Sequence, residues 1–384
     1  MTVDLAALLD DIRGMVECES PSDDLAAVAR SAEVVAAVGA RRLGVEPERI
    51  VLDGRTHLRW RLGSSRSPVL LLGHHDTVWP VGTLARRPFS VEGDVLRGPG
   101  CFDMLAGVAM AFHAAAGTDP STGSGQRGVT VLVTGDEELG SPSSRELVEA
   151  EARAARAVLV LEASADGGAL KTERKGVSLY DVRVGGRAAH AGLEPERGTN
   201  AGVELAHQVL ALQDLGDPAA GTTVTPTRAS AGTTTNTVPA AASVAVDVRC
   251  RTAVEQDRVD RALRSLRPVL PGASVDVHGG PNRPPLEASA SAGLFDLACD
   301  VAARLGLPAP TRAAVGGASD GNFTAGVGTP TLDGLGAVGG GAHAEDEHVL
   351  VSELANRTAL LGGLVAELLA DRTNPALAGG GARP

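Results

Sequence analysis

Val69-Leu-Leu-Leu-Gly-His74-His75-Asp76-Thr77 is an apolar run that breaks off into two imidazoles and a carboxylate. A strand that delivers polar groups at its carboxyl end sets them where open α/β sheets build sites, in the crevice beyond the strand termini. Two other segments repeat the arrangement. Val129 to Thr134 is β-branched and apolar and leads into Gly135-Asp136-Glu137-Glu138, and Ala157 to Leu161 leads into Glu162-Ala163-Ser164. The glycine-rich Leu335 to Gly341 approaches His343, with Glu345, Asp346, Glu347 and His348 directly after it, while Arg97-Gly-Pro-Gly-Cys-Phe-Asp103 is a tight turn that offers one more carboxylate.

Each cluster alone has an ordinary structural explanation. His74 fits a satisfied core histidine, Asp136 to Glu138 an acidic helix start favoured by the macrodipole, and Asp103 a turn residue. Together they fit poorly, because adjacent like charges in a partly dry crevice repel unless a cation compensates them. The joint pattern points to a metal site on an α/β fold.

The order GHHDT, GPGxxD, DEELGS, VLEAS, GRAAHAG, TNTVP, DVR and GAHAEDEHV resembles the two-zinc carboxypeptidase and deacylase family. That family includes the carboxypeptidase G type of glutamate carboxypeptidase, acetylornithine deacetylase and succinyl-diaminopimelate desuccinylase, and Glu162 after VLVL places the resemblance nearest the glutamate carboxypeptidase branch. It implies a mixed-sheet zinc-peptidase catalytic domain with an inserted ferredoxin-like α+β lid and dimerisation domain. It further implies two zinc ions per subunit, one held by His74, Asp103 and Glu162 and the other by Asp103, Glu138 and His343. Cobalt or manganese also suits such donors. Asp103 would bridge, since one carboxylate can span ions roughly 3.5 to 4 Å apart. Asp76, two along from His74, can hold that imidazole's second nitrogen. Glu137 would be the general base that takes a proton from the attacking water and passes it to the leaving amine.

The chain departs from the family after the bridging aspartate, where relatives commonly show a lysine and a glycine and this sequence reads Met104-Leu105-Ala106-Gly107. That weakens any transfer of substrate preference. Met104, Leu105, Val108 and Met110 read as packing on a following helix.

The chain's middle changes character. Val177 to Val184, Ala242 to Val248 and Ser274 to His278 are strand-like, and Ala201 to Gln213 and Ala253 to Leu266 are helix-like. A β-α-β-β-α-β order fits a ferredoxin-like unit of roughly 110 residues. The expected division is a catalytic domain over 1–176 and 286–374, a lid and dimerisation domain over 177–285 with Gly279 to Pro285 as exit linker, and a disordered tail over 375–384. In the family this insert finishes the active site. His190 would stabilise the oxyanion, supplied by the other subunit of a homodimer, and Asn236 and Arg249 would grip the substrate carboxylate. On residue type alone, Asn236 is also an ordinary turn residue and Arg249 a surface arginine. Ala318-Ser319-Asp320-Gly-Asn322 resembles the segment that lines the family's substrate pocket, with Ser319 as a contact, and reads equally well as a helix cap.

Composition narrows the class. The 384 residues exceed one ordinary core, and 43% hydrophobic with 2% aromatic content describes a globule built from Ala, Val and Leu. A net charge of -12 without a Lys/Arg block argues against nucleic-acid partners. Neither a leader-like amino terminus nor a run of about 18 apolar residues is present, so a cytoplasmic enzyme without membrane association is expected. Cys18, Cys101, Cys250 and Cys299 form no CxxC pair, Gly117 to Gly128 reads as a Gly/Ser-rich surface loop, and no GxSxG elbow or dinucleotide fingerprint occurs. The expected activity is hydrolysis of an amide bond in a small N-acyl amino acid or dipeptide with a free carboxylate. N-acyl amino acid deacylation is the alternative, and an inactive binding protein on the same fold a remote one.

Overall fold

The computed structural model describes residues 3–117 and 128–370; the interior of the Gly/Ser-rich loop and the tail expected over 375–384 lie outside the described residues. The chain divides into two compact units: Met1–Glu173, Ala288–Val315 and Ser319–Pro384 form the first, and Arg174–Glu287 with Gly316–Ala318 form the second.

In the first unit, β1 (Glu48–Leu52), β2 (Arg55–Gly63), β3 (Val69–His74), β4 (Gly128–Thr134), β5 (Ala157–Val160) and the short strand Thr331–Leu332 form one mixed sheet. The order is β1-β2-β4-β3-β5 and then Thr331–Leu332, antiparallel across β1, β2 and β4 and parallel from β4 onward. Strands β3, β4 and β5 are buried at every position, as parallel strands covered on both faces must be. Their alternation divides two cores: Val69 and Leu71 join the larger cluster under the helices, while Leu70, Leu72, Leu132, Val158 and Val160 pack with Val148 and Phe323 on the other face. Because β3, β4 and β5 run side by side in the same direction, the residues just past His74, Thr134 and Val160 emerge along one edge.

Helix Ala106–Ala116 lies over the larger core, with Val108 and Met110 buried alongside Met104 and Leu105, as packing residues. It sits so close to the end of β5 that a Cβ on Gly107 would stand 2.1 Å from the Leu161 carbonyl oxygen. Gly107→Ala is therefore expected to destabilise the fold by about 1–3 kcal/mol through overpacking, read as a lowered melting temperature of the metal-free protein.

The second unit has the β-α-β-β-α-β order, with β6 (Gly176–Gly185), helix Ala201–Gln213, β7 (Thr223–Ala231), β8 (Ala241–Cys250), helix Ala253–Arg264 and β9 (Ser274–Arg283). The sheet runs β7-β8-β6-β9, all neighbours antiparallel, which is the ferredoxin-like arrangement. Two details depart from the sequence reading. Edge strand β7 had no segment of its own, and Gly279 to Pro285 is not simply a linker: β9 continues through Gly279, Gly280 and Pro281, paired with Tyr180, Leu179 and Ser178, before a register shift at Arg283. β9 is an edge strand, where a proline's missing N–H leaves no ladder bond unmade. No helix among the described residues is long and apolar enough to cross a membrane.

Candidate metal centre

The edge formed by β3, β4 and β5 collects the expected donors. His74, 1% exposed, ends β3 with its Nε2 3.3 Å from Asp103 Oδ1 and 3.6 Å from Glu162 Oε1. His343 brings its Nε2 to 3.3 Å from Asp103 Oδ2 and 3.1 Å from Glu138 Oε2. Among the described residues, His74-Asp103-Glu162 and Asp103-Glu138-His343 form two groups whose donor atoms lie within 4.8 Å of one another. Asp103 belongs to both and turns a different oxygen to each. His74 Nε2, although buried between two carboxylates, makes no hydrogen bond among the described residues. An imidazole nitrogen so placed, surrounded by carboxylate oxygens, fits a divalent cation.

The charges carry the same message. Burial opposes protonation of His74, yet the Asp103, Asp76 and Glu162 carboxylates outweigh it and push the imidazole well above its ordinary range. Asp103 and Glu138 raise His343 to about 10. Burial drives the Asp103 carboxyl up, but His343 and His74 more than offset this and hold it well below the usual range. Burial and the Asp103 charge raise Glu138. Carboxylates crowded in this way favour positive charge among them, which either a cation or protonated imidazoles can supply.

Asp76 corrects the sequence reading in part. The His74 Nδ1–H is held by the Asp76 main-chain oxygen at 2.9 Å, while the nearer carboxylate oxygen stands at 3.5 Å. The carboxylate instead accepts the main-chain N–H groups of Glu137 and Glu138, each at 3.2 Å, and the Ser22 hydroxyl at 2.6 Å. Asp76 thus orients the histidine through its backbone and the two glutamates through its side chain. Two other buried acids brace the same loop. Asp136 accepts from Ser143 and Ser144, and Asp320 from the hydroxyls of Ser141 and Thr134. Glu137, 7% exposed, sits beside Glu138 on the short turn Glu137–Leu139. His75 is a core residue, bonded to Ser31 and the Thr56 carbonyl, with burial lowering it to about 4.

Ser319 goes to the helix cap. It is fully buried, donates to Asp333 at 2.6 Å and accepts from Gly321 N–H at 3.1 Å in a capping box with Asn322, so its hydroxyl is already committed away from any substrate. In the second unit, the His190 and Asn236 segments lie together, since Ala191 N–H donates to the Asn236 carbonyl at 2.9 Å and His190 bridges to Thr237. His190 Nδ1 accepts from Gly192 N–H at 3.1 Å, which puts the neutral ring's proton on Nε2. Arg249 has a partner of its own. Asp247, on the same face of β8, clasps its Nε and Nη2 at 2.8 and 2.9 Å, one of the edges a guanidinium can offer a carboxylate.

A mixed sheet that brings imidazole and carboxylate donors to the ends of parallel strands, with a further glutamate beside them, suits a metal-dependent hydrolase. The sequence profile described as peptidase family M20/M25/M40 matches residues 70–367, and the chain belongs to that family. It is similar to carboxypeptidase G2 of Pseudomonas sp. (strain RS-16), 33% identical over 311 residues that cover 80% of this chain and 75% of the relative. It is also similar to the succinyl-diaminopimelate desuccinylase of Halorhodospira halophila, 28% identical over 335 residues covering 83% and 87%. The fold matches the M20 family metallo-carboxypeptidase Sso-CP2 from Sulfolobus solfataricus with a TM-score of 0.72 at 16% identity, covering 97% of this chain and 100% of that one.

Proposed function

We propose that this protein is a two-metal amidohydrolase that releases a carboxyl-terminal amino acid, glutamate in the first instance, from a small N-acyl amino acid or dipeptide. The observation that carries this reading is Asp103, whose two oxygens face two separate imidazoles. Two divalent ions, zinc first and cobalt or manganese as substitutes, would be held by His74, Asp103 and Glu162 and by Asp103, Glu138 and His343. When bound they supply Lewis acidity and bring the pKa of water toward about 7.

Glu137 takes a proton from the attacking water as the C–O bond forms. The same carboxyl returns it to the amide nitrogen as the C–N bond breaks, so the amine leaves neutral. His190 Nε2–H donates to the carbonyl oxygen as negative charge develops there, and Asn236 beside it binds the substrate carboxylate. His190 acts from the second subunit of a homodimer. His190→Ala is expected to lower kcat by about 10²–10³-fold with metal content unchanged, the effect of removing one oxyanion donor. Unaltered kcat would remove His190 from the reaction.

Deacylation is the second reading, favoured by similarity to the desuccinylase. The deciding experiment measures metal per subunit and then compares hydrolysis of folate-type glutamyl conjugates, N-acetylornithine and N-succinyl-diaminopimelate. Preference for the glutamyl conjugate supports the carboxypeptidase reading, preference for either other substrate supports deacylation, and hydrolysis of none by a two-metal protein overturns both.

A further inference from the structure

Glu347 takes part in no step above, yet it is fully buried, four residues past His343. Its Oε1 accepts the main-chain N–H groups of Phe102 at 3.0 Å and Asp103 at 3.2 Å, and its Oε2 accepts the Gly100 N–H at 2.9 Å and the Trp79 indole N–H at 2.8 Å. Four donors match the roughly four acceptor sites that an ionised carboxylate offers. Their origins matter. Trp79 follows the His74–Asp76 segment, Gly100 to Asp103 is the turn that presents the shared carboxylate, and Glu347 itself travels with His343. One buried side chain therefore gathers three donor-bearing segments at a point. Trp79 is steadied in turn by the Arg87 guanidinium, 4.4 Å above its ring.

Resting on the two-ion reading, we propose that Glu347 is a positioning residue that fixes the Asp103 turn so that its carboxylate serves both triads at once, and so sets how tightly the second ion is held. The triad most dependent on this is the one with His343, whose side chain is 50% exposed. That histidine stands on left-handed backbone at φ 62° with half its side chain exposed. His74 is buried and braced at Nδ1, so when the turn relaxes the first triad keeps a fixed imidazole, which the second does not. A carboxylate is required because a glutamine has one oxygen for one pair of donors and would turn its own N–H groups toward the other pair.

The test titrates cobalt(II) alone into the metal-stripped 384-residue protein, followed by calorimetry and by the visible absorption of the bound ion. Wild type is expected to take up two ions. Glu347→Gln should hold the first comparably and the second about 10–100-fold more weakly, the effect of losing a partner behind a ligand, with a changed absorption for the second ion. Trp79→Phe removes a single bond of the tether and should weaken the second ion about fivefold, which tests the idea even if Glu347→Gln fails to fold. Unchanged second-ion binding in both variants overturns the inference. So does an equal loss of both ions accompanied by a lowered melting temperature of the metal-free protein, which would make Glu347 a general brace. Failure of wild type to bind two ions instead sinks the two-ion reading, and is told apart because it needs no variant.

Discussion

Glu137→Gln is expected to retain both metal ions and to lose about 10²–10⁴-fold in kcat, the usual worth of a positioned general base. The substitution keeps the size of the side chain but exchanges a charged carboxylate that can accept a proton for a neutral amide that cannot. The loop should be unmoved, because its anchors are elsewhere: the Glu137 and Glu138 amides go to Asp76, and Ser143 and Ser144 go to Asp136. Glu138 and the other donors are untouched. The measurement pairs kcat on the preferred substrate with metal per subunit by elemental analysis. A variant that loses metal while keeping its rate would exchange the roles assigned to the two glutamates.

The donors were legible because parallel strands buried on both faces are continuous apolar runs, and such runs stopping at His74, Asp136 and Glu162 announce the edge where strands β3, β4 and β5 end. The insert was legible for a related reason: the half-buried helix Ala201–Gln213 and the alternating strand β8 carry their periodicity openly. Strand β7 was not, since it is an exposed edge with Pro226 and a bulge between Pro226 and Arg228, so neither propensity nor alternation marks it. The continuation of β9 past His278 hid behind Gly279 and Gly280 in the same way. The tether made by Glu347 is not legible in the sequence, because its partners are main-chain N–H groups 244 to 247 residues away and an indole, none of which has a pattern in sequence. Ser319 and Arg249 illustrate the converse. Each has the chemistry to touch a substrate, and each is occupied by a neighbour that residue type alone does not reveal.

Asp103→Asn is expected to reduce metal content from two ions to one or none per subunit and to lower the rate by about 10³-fold or more, the order of several kcal/mol of charge stabilisation. The amide is nearly the same size, so packing around the turn should persist. What changes is that a neutral amide has one acceptor oxygen, while its NH2 group would face whichever position that oxygen does not serve. The carboxylate also compensates two imidazoles, and its loss leaves His74 and His343 each with one negative neighbour fewer. Elemental analysis and kcat measured on the same preparation test this, and two ions at near wild-type rate would show that Asp103 is no bridge. The comparison with Glu137→Gln is the sharper result: a proton carrier should cost rate without metal, a shared ligand should cost both together, and a protein in which the two variants behave alike is not built on the division of labour proposed here.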